Sequence, residues 1–211
     1  MKKLIQLTVM VIAMSVSVFA QSRSDVFDSD KDVTWLGMDF TTLNFVGDAT
    51  QFKDAGEITN NQLREKFFVV WNEIFLDEKD KYDVAGAINR GRVKYATDVT
   101  ASANSKDKKD HFTNDGGAFR HLRESDIDKM VSGYNYKSNK GVGMMFVVEG
   151  MHKEVKKASI WVVFVDMGKK KVLFKKRMDG KAGGFGFKNY WAKSFYNALK
   201  EVDDNFSSWS N

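Results

Sequence analysis

The chain has 211 residues, with 33 Lys and Arg against 28 Asp and Glu, a formal net charge of +5, and neither cysteine nor proline. That length suits one domain with a real core. The absence of cysteine excludes disulfides, a cysteine nucleophile and a lipidated N-terminal cysteine, and the absence of proline removes X-Pro isomerisation from folding.

Residues 1–20 read as a cleavable secretory signal peptide. Lys2 and Lys3 form a basic start, an apolar run extends from Leu4 to about Val16, and Val18-Phe19-Ala20 forms a cleavage site. The run is short for a bilayer span, and polar Gln21-Ser22 follows where an anchor would carry a basic stop. Cleavage leaves a net charge of +3, an exported protein of the periplasm or the medium, and no transmembrane segment. Residues 21–32 are polar and read as a flexible leader, 33–205 as a single domain and 206–211 as a C-terminal tail.

Residues 33–40 are apolar except for Asp39 and resemble a buried strand. Thr59 and Gln62 form a capping box, after which Leu63, Phe67, Val70, Trp71 and Ile74 recur at helical spacing. Over 92–104, Val93, Tyr95, Thr97, Val99, Ala101 and Ala103 fall on one parity, which predicts a half-buried strand. A long loop follows over 105–118, and Ser125 is placed to cap a short helix carrying Ile127, Met130 and Val131. Residues 142–150 and 158–167 are apolar on both parities and predict central strands. A tight turn leads into a strand over 171–178. The glycine-rich segment 180–187 then opens a helix with Trp191, Phe195, Leu199 and Val202 on one face. The order β-α-β-α-β-β-β-α gives an α/β (α+β) domain, with about five strands in a mixed sheet and about three helices.

Residues 168–188 carry eight basic side chains against Asp179 alone. Lys175, Lys176, Arg177, Lys181 and Lys188, with Gly183, Gly184 and Gly186, form the candidate contact surface for an anionic partner. The same lysines also fit an edge strand protected against sheet-to-sheet pairing. The glycine loop stands where backbone N–H groups at a helix start can hold an anion, but it matches neither dinucleotide nor P-loop spacing, and Phe185 and Phe187 are placed to tuck into the core. His111, Asp115, His121 and Glu124 lack metal-ligand spacing, so neither metal nor cofactor is implied, and nothing points to nucleic acid. Asp39, Glu149 and Asp166, acids within or at the ends of apolar strands, are the candidates for acid–base chemistry. Four of the five tryptophans lie on core faces, and Trp209 in the tail is the exception.

The stretches WLGMDF, IWVVFVDMGKKKVLFKKRM and GKAGGFGFKNYWA resemble uncharacterised exported proteins of bacteria with Gram-negative envelopes, over most of 33–202. A looser likeness is to envelope assembly proteins of the curli-secretion and peptidoglycan-synthase-activator type. These resemblances imply an exported binding or assembly protein, meeting an anionic envelope component or another envelope protein. An enzyme acting on an anionic, phosphorylated substrate is the alternative.

Overall fold

A computed structural model describes residues 20–47 and 58–210; residues 1–19, which hold nearly all of the expected signal peptide, lie outside them. In chain order the first half forms α1 (Arg23–Phe27), β1 (Val33–Asp39), β2 (Asn44–Val46), α2 (Asn60–Gln62), a π-helical turn (Leu63–Phe67), α3 (Phe68–Asp77), α4 (Val84–Ala87), β3 (Lys94–Tyr95) and α5 (Asp98–Asn104). The second half forms β4 (Phe112–Thr113), α6 (Glu124–Gly133), β5 (Val142–His152), β6 (Lys157–Asp166), β7 (Lys171–Lys181) and α7 (Phe187–Asn205), with 3-10 turns at Gly116–Phe119 and Phe206–Ser210.

The sheet is built on β5, whose two apolar parities bury it on both faces. One edge of β5 pairs antiparallel with β6 along its length, and β6 pairs antiparallel with β7. The other edge is shared by two strands in succession, both parallel to β5: β1 along 142–147 and β2 along 150–152. The short strands β3 and β4 extend β1 and β2 outward. On one face Trp35, Phe146, Ile160 and Phe164 pack with Trp71 and Phe75 of α3 and Trp191 and Phe195 of α7. On the other, Leu36, Met145, Val147, Trp161 and Val163 pack with Ile127 and Val131 of α6.

The α/β class and the strands 142–150, 158–167 and 171–178 agree with the sequence reading. The detail differs: among the described residues seven strands replace about five, short helices replace loops, and the strand expected over 92–104 stops at Tyr95. Its remainder is α5, where Thr100 and Asn104 share one helix face and reach the outer edge of β1. The Thr100 hydroxyl donates to the Leu36 carbonyl at 2.7 Å, and the Asn104 amide accepts from Phe40 N–H at 2.8 Å and donates to the Met38 carbonyl at 2.9 Å. Asn72 of α3 accepts from Met38 N–H at 2.7 Å and donates to the Met38 carbonyl at 3.1 Å. Side chains therefore complete the edge that a strand would otherwise have paired. Gly37 makes room for them: its φ is +90°, and a Cβ there would lie 2.5 Å from the Thr100 hydroxyl and 2.6 Å from the Asn72 amide oxygen.

Both ends of the described residues are docked. Residues 21–32, expected as a flexible leader, contain α1, whose Val26 has no exposed surface, and the Val26 carbonyl accepts from buried Arg90 at 2.9 Å. The expected tail forms a 3-10 turn in which Trp209 stacks on Phe174 at 5.4 Å. Arg23 binds the Trp209 carbonyl at 2.5 Å, so the two ends meet. The Thr59–Gln62 capping box is present. Ser125, by contrast, lies inside α6 rather than capping it, because Asp126 reaches back to the Arg123 N–H at 2.9 Å and starts the helix two residues earlier.

Urea denaturation checks the edge closure. Asn72→Ala is expected to lower stability by about 1–3 kcal/mol by stranding the Met38 backbone. Gly37→Ala is expected to lose at least about 2 kcal/mol through strain at positive φ. Losses below about 0.5 kcal/mol in both, within ordinary surface scatter, would refute the closure.

Candidate functional site

Among the described residues β7 pairs only with β6, which makes it an edge strand whose side chains alternate between the two faces of the sheet. Lys175 and Arg177 turn toward α6. Lys175 pairs with Asp128 at 2.8 Å, lies 3.7 Å from the Glu124 carboxylate and donates to the Glu124 carbonyl at 3.0 Å. Arg177 lies over the Trp161 ring at 4.5 Å, pairs with Glu149 at 3.0 Å and donates to the Leu122 carbonyl. Lys176 points to the opposite face and lies 5.3 Å from the Trp209 ring centre. The three basic residues expected to form one contact surface are therefore divided between two faces, with Lys175 and Arg177 held in ion pairs within the fold and Lys176 exposed beside Trp209.

Glu149 has no exposed surface, and besides Arg177 its carboxylate accepts from Leu122 N–H at 2.5 Å and the Ser159 hydroxyl at 3.0 Å. Asp39, equally buried, accepts from Thr41 N–H at 2.8 Å, the Thr41 hydroxyl at 2.6 Å and the Tyr134 hydroxyl at 2.6 Å. Burial raises its pKa above the ordinary carboxylate value, against those hydrogen bonds. Asp166 closes the β6–β7 turn through Lys169 N–H at 2.9 Å and binds the Gln21 N–H at 2.9 Å. All three acids considered for the enzymatic alternative thus hold backbone and neighbouring side chains in place.

The histidine cluster does not assemble. His111 is buried between the Leu43 carbonyl at 2.9 Å and Asp107 at 2.7 Å, and burial lowers its pKa. His121 lies against Ala118 and Asn44, while Asp115 accepts from Gly117 N–H. No group of three metal-ligating side chains occurs among the described residues. An apolar recess of about 250 Å³ between α3 and α5 has Asn72 and Asn104 in its lining, both already bound to β1.

The glycine loop is a different matter. Gly180 lets α7 sit directly on β7, since a Cβ there would lie 1.9 Å from the Ser194 carbonyl oxygen. Beyond it Ala182 N–H donates to the Lys156 carbonyl at 2.8 Å and Gly183 N–H to the Tyr190 carbonyl at 3.0 Å, tying the loop to the β5–β6 turn and to α7. Gly184 and Gly186 then adopt φ values of +106° and +70°. Phe187 is buried against Phe45, Phe67 and Trp71 as expected. Phe185, expected to tuck inward, is instead 90% exposed, because the glycines on either side turn the chain outward. Lys181 and Lys188 are exposed, and the Lys188 carbonyl accepts from Trp71 Nε1 at 2.9 Å. A small cleft of about 160 Å³ beside Gly183, Lys188 and Lys193 also contains Lys81, paired with Glu78 at 2.8 Å.

No protein-family model, curated protein or solved structure matches this chain. No helix among the described residues is long and apolar enough to cross a membrane.

The role of Arg177 is measurable. Arg177→Met leaves the Glu149 carboxylate buried without its cation and is expected to cost about 3–5 kcal/mol, with much of the loss recovered in the double variant with Glu149→Gln. A charge reversal at Arg177 therefore perturbs folding as well as surface charge. An unchanged denaturation midpoint for Arg177→Met would show that the pair contributes nothing.

Proposed function

We propose that this chain is an exported envelope-associated binding or assembly protein, whose contact surface is the end of the sheet formed by residues 181–188 and the adjoining β5–β6 turn. The partner is an anionic envelope component or an envelope protein presenting acidic groups. One observation carries this reading. Ion pairs engage Lys157, Lys175 and Arg177, but Lys156, Lys181 and Lys188 stay exposed with no carboxylate partner among the described residues, beside the projecting ring of Phe185. Unpaired cations at a point where a large apolar side chain is also exposed favour association over edge protection alone.

In-cell photo-cross-linking tests the surface. A benzophenone side chain at Phe185 is expected to capture one dominant envelope component, with far less captured from Val69, an exposed site on α3. Equal capture from both positions would refute the assignment.

Export is supported by a contact at the expected cleavage point. The backbone nitrogen of Gln21 donates to Asp166, a carboxylate only 4% exposed, at 2.9 Å. Cleavage after Ala20 would convert that N–H into an ammonium group facing the same carboxylate, so processing there strengthens a contact instead of breaking one. Mass spectrometry of protein recovered from the host envelope is expected to show a chain beginning at Gln21. Its glutamine should cyclise more slowly than in Asp166→Asn, because the held ammonium is a poor nucleophile. A chain that retains residues 1–20 would overturn the export reading.

A further inference from the structure

Three large apolar side chains are strongly exposed among the described residues: Val69, Val155 and Phe185. Two of them lie at the same end of the molecule. Val155 sits in the β5–β6 turn, which the Ala182 N–H binds through the Lys156 carbonyl at 2.8 Å, and Lys157 stands opposite Lys181 in the β6–β7 register. The turn and the glycine loop are thus hydrogen-bonded neighbours, each presenting one apolar side chain, 50% exposed at Val155 and 90% exposed at Phe185.

Cations surround the pair. Residues 153–157 and 181–188 contain Lys153, Lys156, Lys157, Lys181 and Lys188 against Glu154 as the only acid. Lys157 is paired with Asp179 at 3.2 Å, and Lys153 lies 4.0 Å from the ring centre of half-buried Tyr190. The exposed side chains stand on two projecting turns rather than in a groove, so they offer little area for a matching protein face. Projecting apolar tips ringed by lysines do fit the boundary of a bilayer. The apolar groups enter among the headgroups, while the long lysine stems keep their ammonium ends at the phosphates.

We propose that this end docks reversibly on the surface of a bilayer containing anionic lipids, with Phe185 and Val155 entering the headgroup region and Lys156, Lys181 and Lys188 facing lipid phosphates. This deepens the contact-surface reading above and rests on it. Two shallow apolar tips do not hold a protein on a membrane alone, so attachment depends on both signals together and weakens with salt.

The test uses the processed chain beginning at Gln21 with vesicles of phosphatidylglycerol and phosphatidylcholine, and with vesicles of phosphatidylcholine alone. Phe185→Trp serves as the reporter, since all five native tryptophans are 6% exposed or less. Lipids brominated on the acyl chain are expected to quench that reporter in the anionic vesicles only. Adding Lys181→Glu and Lys188→Glu should abolish the quenching, at about fivefold in affinity per lysine removed. Phe185→Ser should weaken co-sedimentation about tenfold. Co-sedimentation without quenching would place attachment elsewhere in the chain and overturn the proposal, and equal quenching on phosphatidylcholine alone would overturn the role of the lysines. If the vesicle arm fails while the benzophenone at Phe185 captures an envelope protein, the contact surface stands and the bilayer falls. If both fail, both readings fall.

Discussion

A carboxylate with no exposed surface sits on the α6 face of the sheet, and four chain segments converge on it. Glu149 comes from β5, the Ser159 hydroxyl from β6, Arg177 from β7 and the Leu122 N–H from the segment leading into α6. An isolated charge at that depth costs several kcal/mol, so the group is tolerable only because both of its oxygens are hydrogen-bonded and its charge is matched. Each requirement positions something. The arginine must turn inward from an edge strand, and the chain must pass close at Leu122 before α6 begins. Glu149 lies at the irregularity between Val148 and Gly150, beside the interval where β1 has ended and β2 has not yet begun. A residue type rare in buried strands thus stands where the regular pairing is already interrupted.

The opposite side of the sheet solves a related problem with neutral groups. After Trp35 the outer edge of β1 has no strand to pair with among the described residues, and its carbonyls and amides would be buried unpaired. Asn72, Thr100 and Asn104 bind them from two helices, with Gly37 supplying the space. This explains why residues 92–104 mislead when read by parity. They do approach β1, and Lys94–Tyr95 do pair with Thr34–Trp35. Alternation of small and β-branched residues is equally consistent with one short helix, and the deciding polar pair, Thr100 and Asn104, is spaced by four. Long apolar runs such as 142–150 and 158–167 carry no such ambiguity, because only a strand covered on both faces buries both parities.

The basic segment shows what a linear charge count conveys and what it misses. Its excess of lysine was legible, and so was its place on an edge strand. Its division between faces follows from period two, which sends Lys175 and Arg177 one way and Lys176 the other. Signals for their partners were also present: Glu124 and Asp128 lie four apart around the start of that helix, although the expected cap at Ser125 left Glu124 outside it, and Glu149 sits alone in an apolar run where an inward cation is required. The outward turn of Phe185 was not legible, since it depends on Gly184 and Gly186 both adopting positive φ, which alternation with aromatics does not specify.

β7 spans eleven residues, roughly 30 Å of extended chain. Charges at its two ends are therefore several Debye lengths apart at physiological salt and act on separate surroundings. Lys169 and Lys170 belong to the turn that Asp166 closes, and Lys171 stands opposite Asp166 at the start of the strand, beside Gln21 and the docked α1. In the middle of the strand Asp128 and Glu149 pair with Lys175 and Arg177, while Lys176 lies near the Trp209 ring on the other face. Only the far end, where the strand runs into the glycine loop and meets the Lys156 turn, combines unpaired cations with exposed apolar groups. The proposed contact surface is consequently not the basic stretch as written in the sequence but its last third joined to a turn some 25 residues earlier, a juxtaposition that the β6–β7 pairing creates.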